Sequence, residues 1–226
     1  ERVIHTMGWP LRAGKRYREF GGSFIYPLEE GKIALGMVVG LDYTDATLSV
    51  HDLLQELKTH PFVRRLLDGG TRVGWGAKTI PEGGFQALPD RLSFPGGLVV
   101  GDSAGFVNVP ALKGVHYAMK SGILAAEAAV GAVGPGETAW SPGALDGYDE
   151  AVRASYIWSD LHKVRNARPA FSKGFYRGAL VAGLSITTLG ALPPGTRKLE
   201  RDADVSVSVG SGAEAYPDPD GKLVFD

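Results

Sequence analysis

The residues best placed to do chemistry are an acid and several glycines that lie between an apolar run and a helix. Residues 97–101 form a continuous apolar run, which predicts a strand buried on both faces, and Asp102 follows it directly. At the carboxyl end of such a strand, a carboxylate can accept hydrogen bonds from the hydroxyl groups of a sugar alcohol. The simpler interpretation is that Asp102 only caps a turn, and these residues alone leave both interpretations open.

The helix that follows this turn adds a second feature. Residues 113–130 have helical periodicity and many small side chains, so the helix can lie very close to a sheet or a ligand. Its N-terminal N–H groups and the positive end of its dipole would point toward the crevice beside Asp102, where they would stabilise an anion. A reduced flavin, which is anionic at its N1/O2 edge, needs such a partner.

A hairpin and two helices are predicted in the first third of the chain. Residues 22–28 and 32–41 flank a polar turn, Glu29–Gly31, and they read as its two strands. Ser49 suits the N-cap of one amphipathic helix, and Pro61 suits the start of a second.

The other predicted elements are less regular. Residues 72–78 indicate a further strand, and a polar helix is predicted from Leu145 to about Val164. Residues 178–192 carry no charge; they are too few to span a bilayer but suit a surface that enters one leaflet, and a buried core helix is the alternative. Residues 196–226 read as a linker or a loosely held arm.

Composition excludes several classes of function. The 24 basic and 25 acidic residues give a net charge of −1, so we expect no nucleic-acid partner. Because the chain has no cysteine, these residues cannot hold zinc or an iron-sulfur cluster through thiolates. The five histidines show no metal-ligand spacing, and Ser103 lacks a G-x-S-x-G frame. Without an initiator Met or a signal pattern at its start, the chain is expected to be a piece of a longer protein.

Short stretches along the whole chain carry a resemblance to a known family. They are HTMGWPL at 5–11, GGSF at 21–24, VVGLDY at 38–43, EGGFQ at 82–86, FPGG at 94–97, AMKSGILAAE at 118–127, VRNARP at 164–169 and YPDPDG at 216–221. In these stretches the chain closely resembles the electron transfer flavoprotein-ubiquinone oxidoreductases.

The resemblance implies an enzyme that takes electrons from reduced electron transfer flavoprotein and passes them to ubiquinone, using FAD and a 4Fe-4S cluster. It implies a monotopic protein, peripheral on the inner membrane at the bacterial cytoplasmic face or the mitochondrial matrix face. The chain would be the central portion of this enzyme, since it contains neither a G-x-G-x-x-G fingerprint nor the family's four cluster cysteines. The piece alone is therefore expected to be inactive.

The resemblance also assigns residues. Gly101 and Asp102 look like the second flavin-binding motif, and Lys113, Gly114 and Val115 look like the segment that meets the flavin pyrimidine edge, with His116 as a weaker candidate. Gly21 and Gly22 resemble the pair whose backbone lies against the quinone head group, a position that suits glycine because no Cβ intervenes. On residues alone, a β-bulge would be favoured there. Four nearby side chains could line a quinone channel or belong to the core: Phe20, Phe24, Tyr26 and Met37.

The expected fold is α/β, as an α+β fragment of a glutathione-reductase-like FAD-dependent oxidoreductase, with a mixed β-sheet and flanking helices. The expected domains are a quinone-binding sheet domain (1–95), half of an FAD domain (96–135), a helical membrane-facing segment (136–195) and a linker (196–226). No side chain is expected to act as a nucleophile or strong general base, and the proton donor is left unassigned. Two alternatives stay open, namely a cluster-free FAD-dependent reductase or hydroxylase of isoprenoid lipids and a non-catalytic peripheral membrane-binding module.

Overall fold

The computed structural model describes residues 2–6, 8–11, 19–43, 47–133, 143–198 and 221. These residues fall into two compact units, which meet in the sequence between Ala77 and Lys78. Most of the predicted linker, residues 196–226, lies outside the described residues. The four predicted domain ranges stay predictions.

The first unit is built on a three-stranded antiparallel sheet. Its strands are β1 (Ile4–Thr6), β2 (Gly21–Pro27) and β3 (Ile33–Val39), in that order across the sheet. The turn Glu29–Gly31 joins β2 to β3. The predicted hairpin is therefore confirmed.

Two helices cover one face of this sheet. Helix α1 (Val50–Thr59) begins where the Ser49 hydroxyl accepts a hydrogen bond from the backbone N–H of Asp52, and α2 (Pro61–Leu67) follows directly, as predicted. Ile25 on β2 packs with Leu57 and Val63 of the helices in a buried cluster. Alternate residues of β2 and β3 therefore face the helices, and the residues between them face away.

The second unit is mostly helical. Two short strands, β4 (Ser93–Phe94) and β5 (Gly97–Leu98), form an antiparallel pair. The helices are α3 (Val115–Gly131), α4 (Gly147–Ala154), α5 (Tyr156–Lys163) and α6 (Phe175–Thr187). The core joins α3, α4 and α5 to the strand region, with Phe106, Tyr148, Val152 and Ile157 fully buried.

Three predicted elements differ from the structure. The apolar run forms a strand only over Gly97–Leu98, and Val100 is exposed, because the described residues provide no parallel strand to pair with it. Residues 72–78 do not form a strand and are exposed. The polar helix is two helices, since Ser155 breaks it and its hydroxyl accepts a hydrogen bond from the N–H of Ile157 to start α5.

The combination of helices with small antiparallel sheets agrees with a mixed α/β composition. Both sheets are antiparallel in the described part of the chain, so the predicted mixed β-sheet is not found there. Within the same residues, no helix is both long and apolar enough to cross a membrane.

Helix α6 has two contrasting faces. Its small residues Gly178 and Ala182 pack inward, and a Cβ on Gly178 would lie 2.7 Å from the Phe171 ring. Large apolar side chains on its other side are exposed, including Tyr176 at 84% and Leu180 at 77%. The predicted apolar segment is therefore not an enclosed core helix.

The chain beyond α6 is held to the second unit by a buried amide. The Asn166 side chain is fully buried, and its Nδ2 donates to the carbonyl oxygens of Pro193 (3.2 Å) and Gly195 (2.9 Å). Its Oδ1 accepts from the N–H of Arg197 at 2.8 Å, and Arg165 donates to the carbonyls of Gly190 and Gly195. Every polar atom of the Asn166 amide group is thus used to fix residues 193–197.

Candidate functional site

The Gly-Gly pair lies at the start of β2 between two neighbouring strands. The register runs without interruption, with Gly21 opposite Val39 and Gly22 opposite Val38, so the β-bulge interpretation is wrong. A Cβ on Gly21 would overlap the Val38 carbonyl oxygen, and one on Gly22 would overlap the Thr6 carbonyl oxygen. Close backbone approach therefore requires glycine at both positions, and the quinone contact stays a prediction.

The face of the sheet away from the helices is called the open face here. It carries residues from all three strands: His5 of β1; Gly22, Phe24 and Tyr26 of β2; and Ala34, Gly36 and Val38 of β3. The described helices of this unit pack on the opposite side, against clusters that include Ile25, Leu35 and Met37. Of the predicted channel residues, Phe24 and Tyr26 thus lie on the open face, whereas Met37 belongs to the core.

Aromatic rings cover much of the open face. The Phe24 ring lies across Gly36, where any Cβ would overlap it, and its centroid is 5.0 Å from that of Tyr26. The Tyr26 hydroxyl and the His5 Nε2 atom form a hydrogen bond of 3.2 Å, and their rings meet edge to face. This pair places a proton-carrying group beside an otherwise apolar surface.

The helix-covered side of the same sheet holds a small apolar cavity of about 150 Å³. Ile4, Ile25, Leu57 and Val63 line it, together with the rings of Trp9 and His60, which lie 5.0 Å apart. A cavity of this size holds a benzene-sized molecule. A substituted quinone with an isoprenoid tail is larger.

The second unit carries the predicted flavin motif as a tight turn. Gly101 has a φ of +62° and is buried, and its N–H donates to the Ser121 hydroxyl at 2.9 Å. A Cβ at this position would lie 3.3 Å from that of Ala118. The small residues of α3 therefore let the helix approach the turn, as the composition of residues 113–130 predicts.

The turn leaves the Asp102 carboxylate pointing into solvent. Asp102 is exposed, while its carbonyl oxygen accepts from the N–H of Gly105 at 2.8 Å. Gly105 adopts the left-handed conformation that ends the turn. The backbone of Asp102 thus serves the turn, and its side chain is available to a ligand.

The segment before α3 is ordered by its own backbone. Asn108 and Lys113 pair in a short bridge, and the Asn108 Oδ1 atom accepts from the N–H of Ala111. Gly114 is the N-cap of α3 and has no side-chain cap, and Val115 is 75% exposed. These positions leave the positive end of a 17-residue helix open.

His116 and two tyrosines surround this helix end. The His116 ring is parallel to that of Tyr156 at 6.4 Å, and the Tyr156 hydroxyl donates to the His116 carbonyl oxygen. Tyr117 is buried, and burial raises the pKa of its hydroxyl despite a hydrogen bond with Asn108. The predicted flavin contact of His116 stays a prediction.

A buried tyrosine supports the turn from below. The Tyr148 hydroxyl donates to the Val99 carbonyl oxygen at 3.0 Å, and burial raises the pKa of Tyr148 to about 12. Tyr148 therefore stays neutral at physiological pH and holds the apolar run against α4.

On the same unit, burial raises the pKa of Glu82, an effect that the charge of Arg168 opposes.

Several features of the second unit suit one half of a flavin site. They are an exposed carboxylate at Asp102, a turn at Gly101 that a Cβ would crowd, and an uncapped helix end at Gly114. A carboxylate suits the ribityl hydroxyls, and the helix end suits a negative pyrimidine edge. The residues present fit the group that they were predicted to bind.

Sequence reasoning missed two polar contacts in these regions. Ser121 accepts from Gly101 across 20 residues, and Tyr26 meets His5 across 21 residues. The only sequence signal for the second contact was strand alternation, which places Tyr26 on the same face as Phe24 and Gly22.

The comparisons with known proteins agree with the resemblance. A family described as "ETF-QO, ubiquinone-binding" matches residues 1–80, which include the whole three-stranded sheet. Over 227 residues the chain is 43% identical to a protein of Oryza sativa subsp. japonica named electron transfer flavoprotein-ubiquinone oxidoreductase, mitochondrial. Proteins of the same name from Arabidopsis thaliana and Homo sapiens are each 41% identical. The predicted resemblance is confirmed.

The similarity covers nearly all of this chain but a minor part of each relative. The alignments include 99% of this chain with the Oryza and Arabidopsis proteins and 100% with the human protein. They span 37%, 34% and 37% of those proteins respectively. The chain thus spans little more than a third of the relatives that it matches.

Proposed function

Because the chain is similar over nearly its whole length to the electron transfer flavoprotein-ubiquinone oxidoreductases, we propose that it forms part of an enzyme of this kind. The enzyme transfers electrons from reduced electron transfer flavoprotein to ubiquinone through FAD. The observation that carries this proposal is the match to the ubiquinone-binding family over residues 1–80, since those residues contain both the Gly-Gly pair and the open face.

The first unit would receive the quinone. Its open face is apolar and aromatic, and Gly22 lies on it two residues before Phe24. Because the Thr6 carbonyl oxygen lies where a Cβ of Gly22 would be, a quinone ring at this position would meet backbone groups of β1 and β2 and no side chain of residue 22. The face would bind the quinone head group by packing, with its hydrogen-bonding groups limited to a few positions.

The second unit would hold one half of the flavin. Asp102 would accept hydrogen bonds from the ribityl chain, and the α3 end at Lys113, Gly114 and Val115 would lie beside the pyrimidine edge. When bound, the flavin supplies a group that takes up electrons and releases two of them to a quinone. The turn at Gly101 and the helix end orient this group and favour negative charge at its edge.

A 4Fe-4S cluster would take its ligands from outside these residues. The chain contains no cysteine, so it offers no thiolate to such a cluster. The relatives extend well beyond the matched region, which leaves room for the ligands elsewhere. The role proposed for this chain therefore covers quinone and flavin binding only.

The exposed apolar side of α6 supports attachment to one leaflet of a membrane. Tyr176, Leu180 and Leu184 recur every four residues along this side, and Leu189 is also exposed. A monotopic surface buries such a stripe among the acyl chains and stays peripheral. We place the protein at the inner membrane, on the mitochondrial matrix face or the bacterial cytoplasmic face.

The test uses the full-length protein, purified in detergent and mixed with reduced electron transfer flavoprotein and a short-chain ubiquinone. We expect a flavin absorption band and quinone reduction that depends on the donor. Replacement Asp102→Ala is expected to weaken FAD binding at least tenfold, whereas Asp102→Asn keeps an acceptor oxygen and loses less.

Two results would overturn the proposed function, and a third would overturn the role of Asp102. Flavin binding with reduction of an isoprenoid double bond, but not of quinone, would indicate a lipid reductase. Binding to lipid vesicles without any flavin would indicate a membrane-binding module. Equal FAD affinity in Asp102→Ala and the parent would remove Asp102 from the flavin site.

A further inference from the structure

The hydrogen-bonded pair of Tyr26 and His5 has no assigned part in the electron transfer described above. Reduction of a quinone to a quinol consumes two protons as well as two electrons, and an apolar surface supplies none. On the open face, Tyr26 and His5 hold a hydroxyl and an imidazole in contact at 3.2 Å. We propose that Tyr26 donates one of these protons to a quinone oxygen and that His5 replaces the proton that Tyr26 gives up. This inference rests on the proposed quinone function.

The placement of the pair supports this role. His5 lies opposite Phe24 in the sheet, and Tyr26 is two residues beyond Phe24 on the same face. Gly22 lies two residues before Phe24 on the same face, so Phe24 stands between the glycine and Tyr26 along β2. A ring resting on Phe24 would have one carbonyl toward Gly22 and the other toward the Tyr26 hydroxyl.

The two side chains differ in exposure, as a proton relay from solvent through His5 to Tyr26 requires. Tyr26 is half-buried, packed between Phe24 and His5, whereas His5 is exposed. The hydroxyl is thus positioned on the apolar surface, and the imidazole behind it can take a proton from water. Tyr26 would be the residue that touches the substrate, and His5 would act through it.

One of the two protons of the quinol passes through this pair. As the quinone takes up its two electrons, which a bound flavin would supply, the Tyr26 O–H bond breaks and an O–H bond forms on the nearer quinone oxygen. The Tyr26 oxygen then takes a proton from Nε2 of His5, so the tyrosine ends unchanged. His5 recovers its proton from solvent, and the oxygen on the Gly22 side takes the second proton of the quinol from solvent.

The cavity on the other side of the sheet is a weaker candidate for the donor. His60 lines that cavity, but its Nδ1 atom already accepts from the N–H of Phe62 at 3.2 Å. The walls beside it are the core residues Ile25, Leu57 and Val63. A quinone there would have to displace the packing between sheet and helices.

The test compares two electron acceptors in the full-length protein reduced by its flavoprotein donor. One acceptor is a short-chain ubiquinone, which must take up protons, and the other is ferricenium, which takes one electron and no proton. We expect Tyr26→Phe to lower kcat for the quinone about 10²-fold, to raise KM by about fivefold at most and to leave ferricenium reduction unchanged. The affinity for a bound quinone, measured by fluorescence quenching, should fall only about fivefold, as for one lost hydrogen bond.

The His5 variants test the relay itself. Replacement His5→Ala should lower the quinone rate and be rescued by added imidazole, whereas His5→Gln keeps a hydrogen bond to Tyr26 but should not restore the rate. Matched controls are Tyr43→Phe and His51→Ala in the same unit, which should behave as the parent.

Other results would contradict either the role of Tyr26 and His5 or the proposed function. Equal losses with both acceptors in Tyr26→Phe would show a structural role and overturn the relay, as would an unchanged quinone rate. A loss in His60→Ala without one in Tyr26→Phe would place the donor in the cavity. If the parent reduces neither acceptor, the proposed function itself fails, and a parent that reduces only ferricenium fails as a quinone reductase.

Discussion

The two proposed binding regions use glycine in different ways. In the first unit, Gly21 and Gly22 lie within the register of the sheet, where the carbonyl oxygens of Val38 and Thr6 leave no room for a Cβ, and Gly21 also has a φ of +149°. In the second unit, Gly101 turns the chain at a positive φ and is fixed by a hydrogen bond to Ser121 of α3. The first arrangement shapes a surface, and the second packs a turn against α3 and leaves the Asp102 carboxylate exposed.

Because of this difference, we expect the two regions to tolerate amino-acid substitutions unequally. The sheet glycines are confined by backbone atoms that cannot move without shifting a strand. The turn glycine is confined mainly by the Cβ of Ala118 and by one side-chain acceptor. Substitutions should therefore be more damaging in the sheet than around the turn.

The largest effect is expected from Gly22→Ala. Its Cβ would meet the Thr6 carbonyl oxygen, so β1 or β2 must shift, and we expect a destabilisation of about 3 kcal/mol. Hydrogen exchange of the β1–β3 amides measures it in the full-length protein. Gly74→Ala is the control, because a Cβ there meets nothing within 4 Å. Equal protection in both variants would show that the strands adapt.

A smaller effect is expected from Ser121→Ala. The change leaves the buried N–H of Gly101 without its acceptor, at a cost of about 2 kcal/mol in local stability. Hydrogen exchange at Gly101 and thermal unfolding of the protein report this loss. Ser103→Ala is the matched control, since Ser103 lies exposed in the same turn. An unaltered exchange rate at Gly101 in the Ser121 variant would argue against the hydrogen bond.

The smallest effect at neutral pH is expected from Tyr148→Phe, which removes one hydrogen bond to Val99 and costs about 1 kcal/mol. The pKa of Tyr148 rises from 10.0 to about 12 on folding. Between these values the unfolded chain loses the proton first, so the stabilisation is complete below pH 10 and is lost as pH rises through 12.

Denaturant titrations between pH 9 and 12 check this dependence. The parent should keep its stability up to about pH 10 and lose it between pH 10 and 12, and Tyr148→Phe should lose less. Tyr176→Phe, which changes an exposed tyrosine, should follow the parent. If the curves of stability against pH were parallel for the parent and Tyr148→Phe, the assignment of this pH dependence to Tyr148 would be contradicted.

Local patterns predicted the elements that depend on near neighbours in the chain. The Glu-Glu-Gly turn specified the hairpin, and Ser49 specified the start of α1 through its own hydroxyl. The small residues of α3 indicated that it packs closely, which the distance from Ala118 to Gly101 confirms. In each case the deciding contact spans few residues or follows from residue size.

The features that were missed depend on distant partners. Val99 and Val100 read as a buried strand, but a strand needs a neighbour, and the sequence of the run does not show whether one is present. The contacts of Ser121 with Gly101 and of Tyr26 with His5 join residues about twenty positions apart. Such pairs follow from the tertiary arrangement and have no local signature.

The buried amide of Asn166 fixes the point on the second unit from which the chain continues after Lys198. Because residues 193–197 are fixed to the second unit, the reach of any later segment is counted from that anchor. A tethered module then samples a smaller volume, and its effective concentration near the second unit rises as the free length shortens. Loss of the Asn166 anchor would lengthen the tether by several residues and dilute any partner carried beyond it.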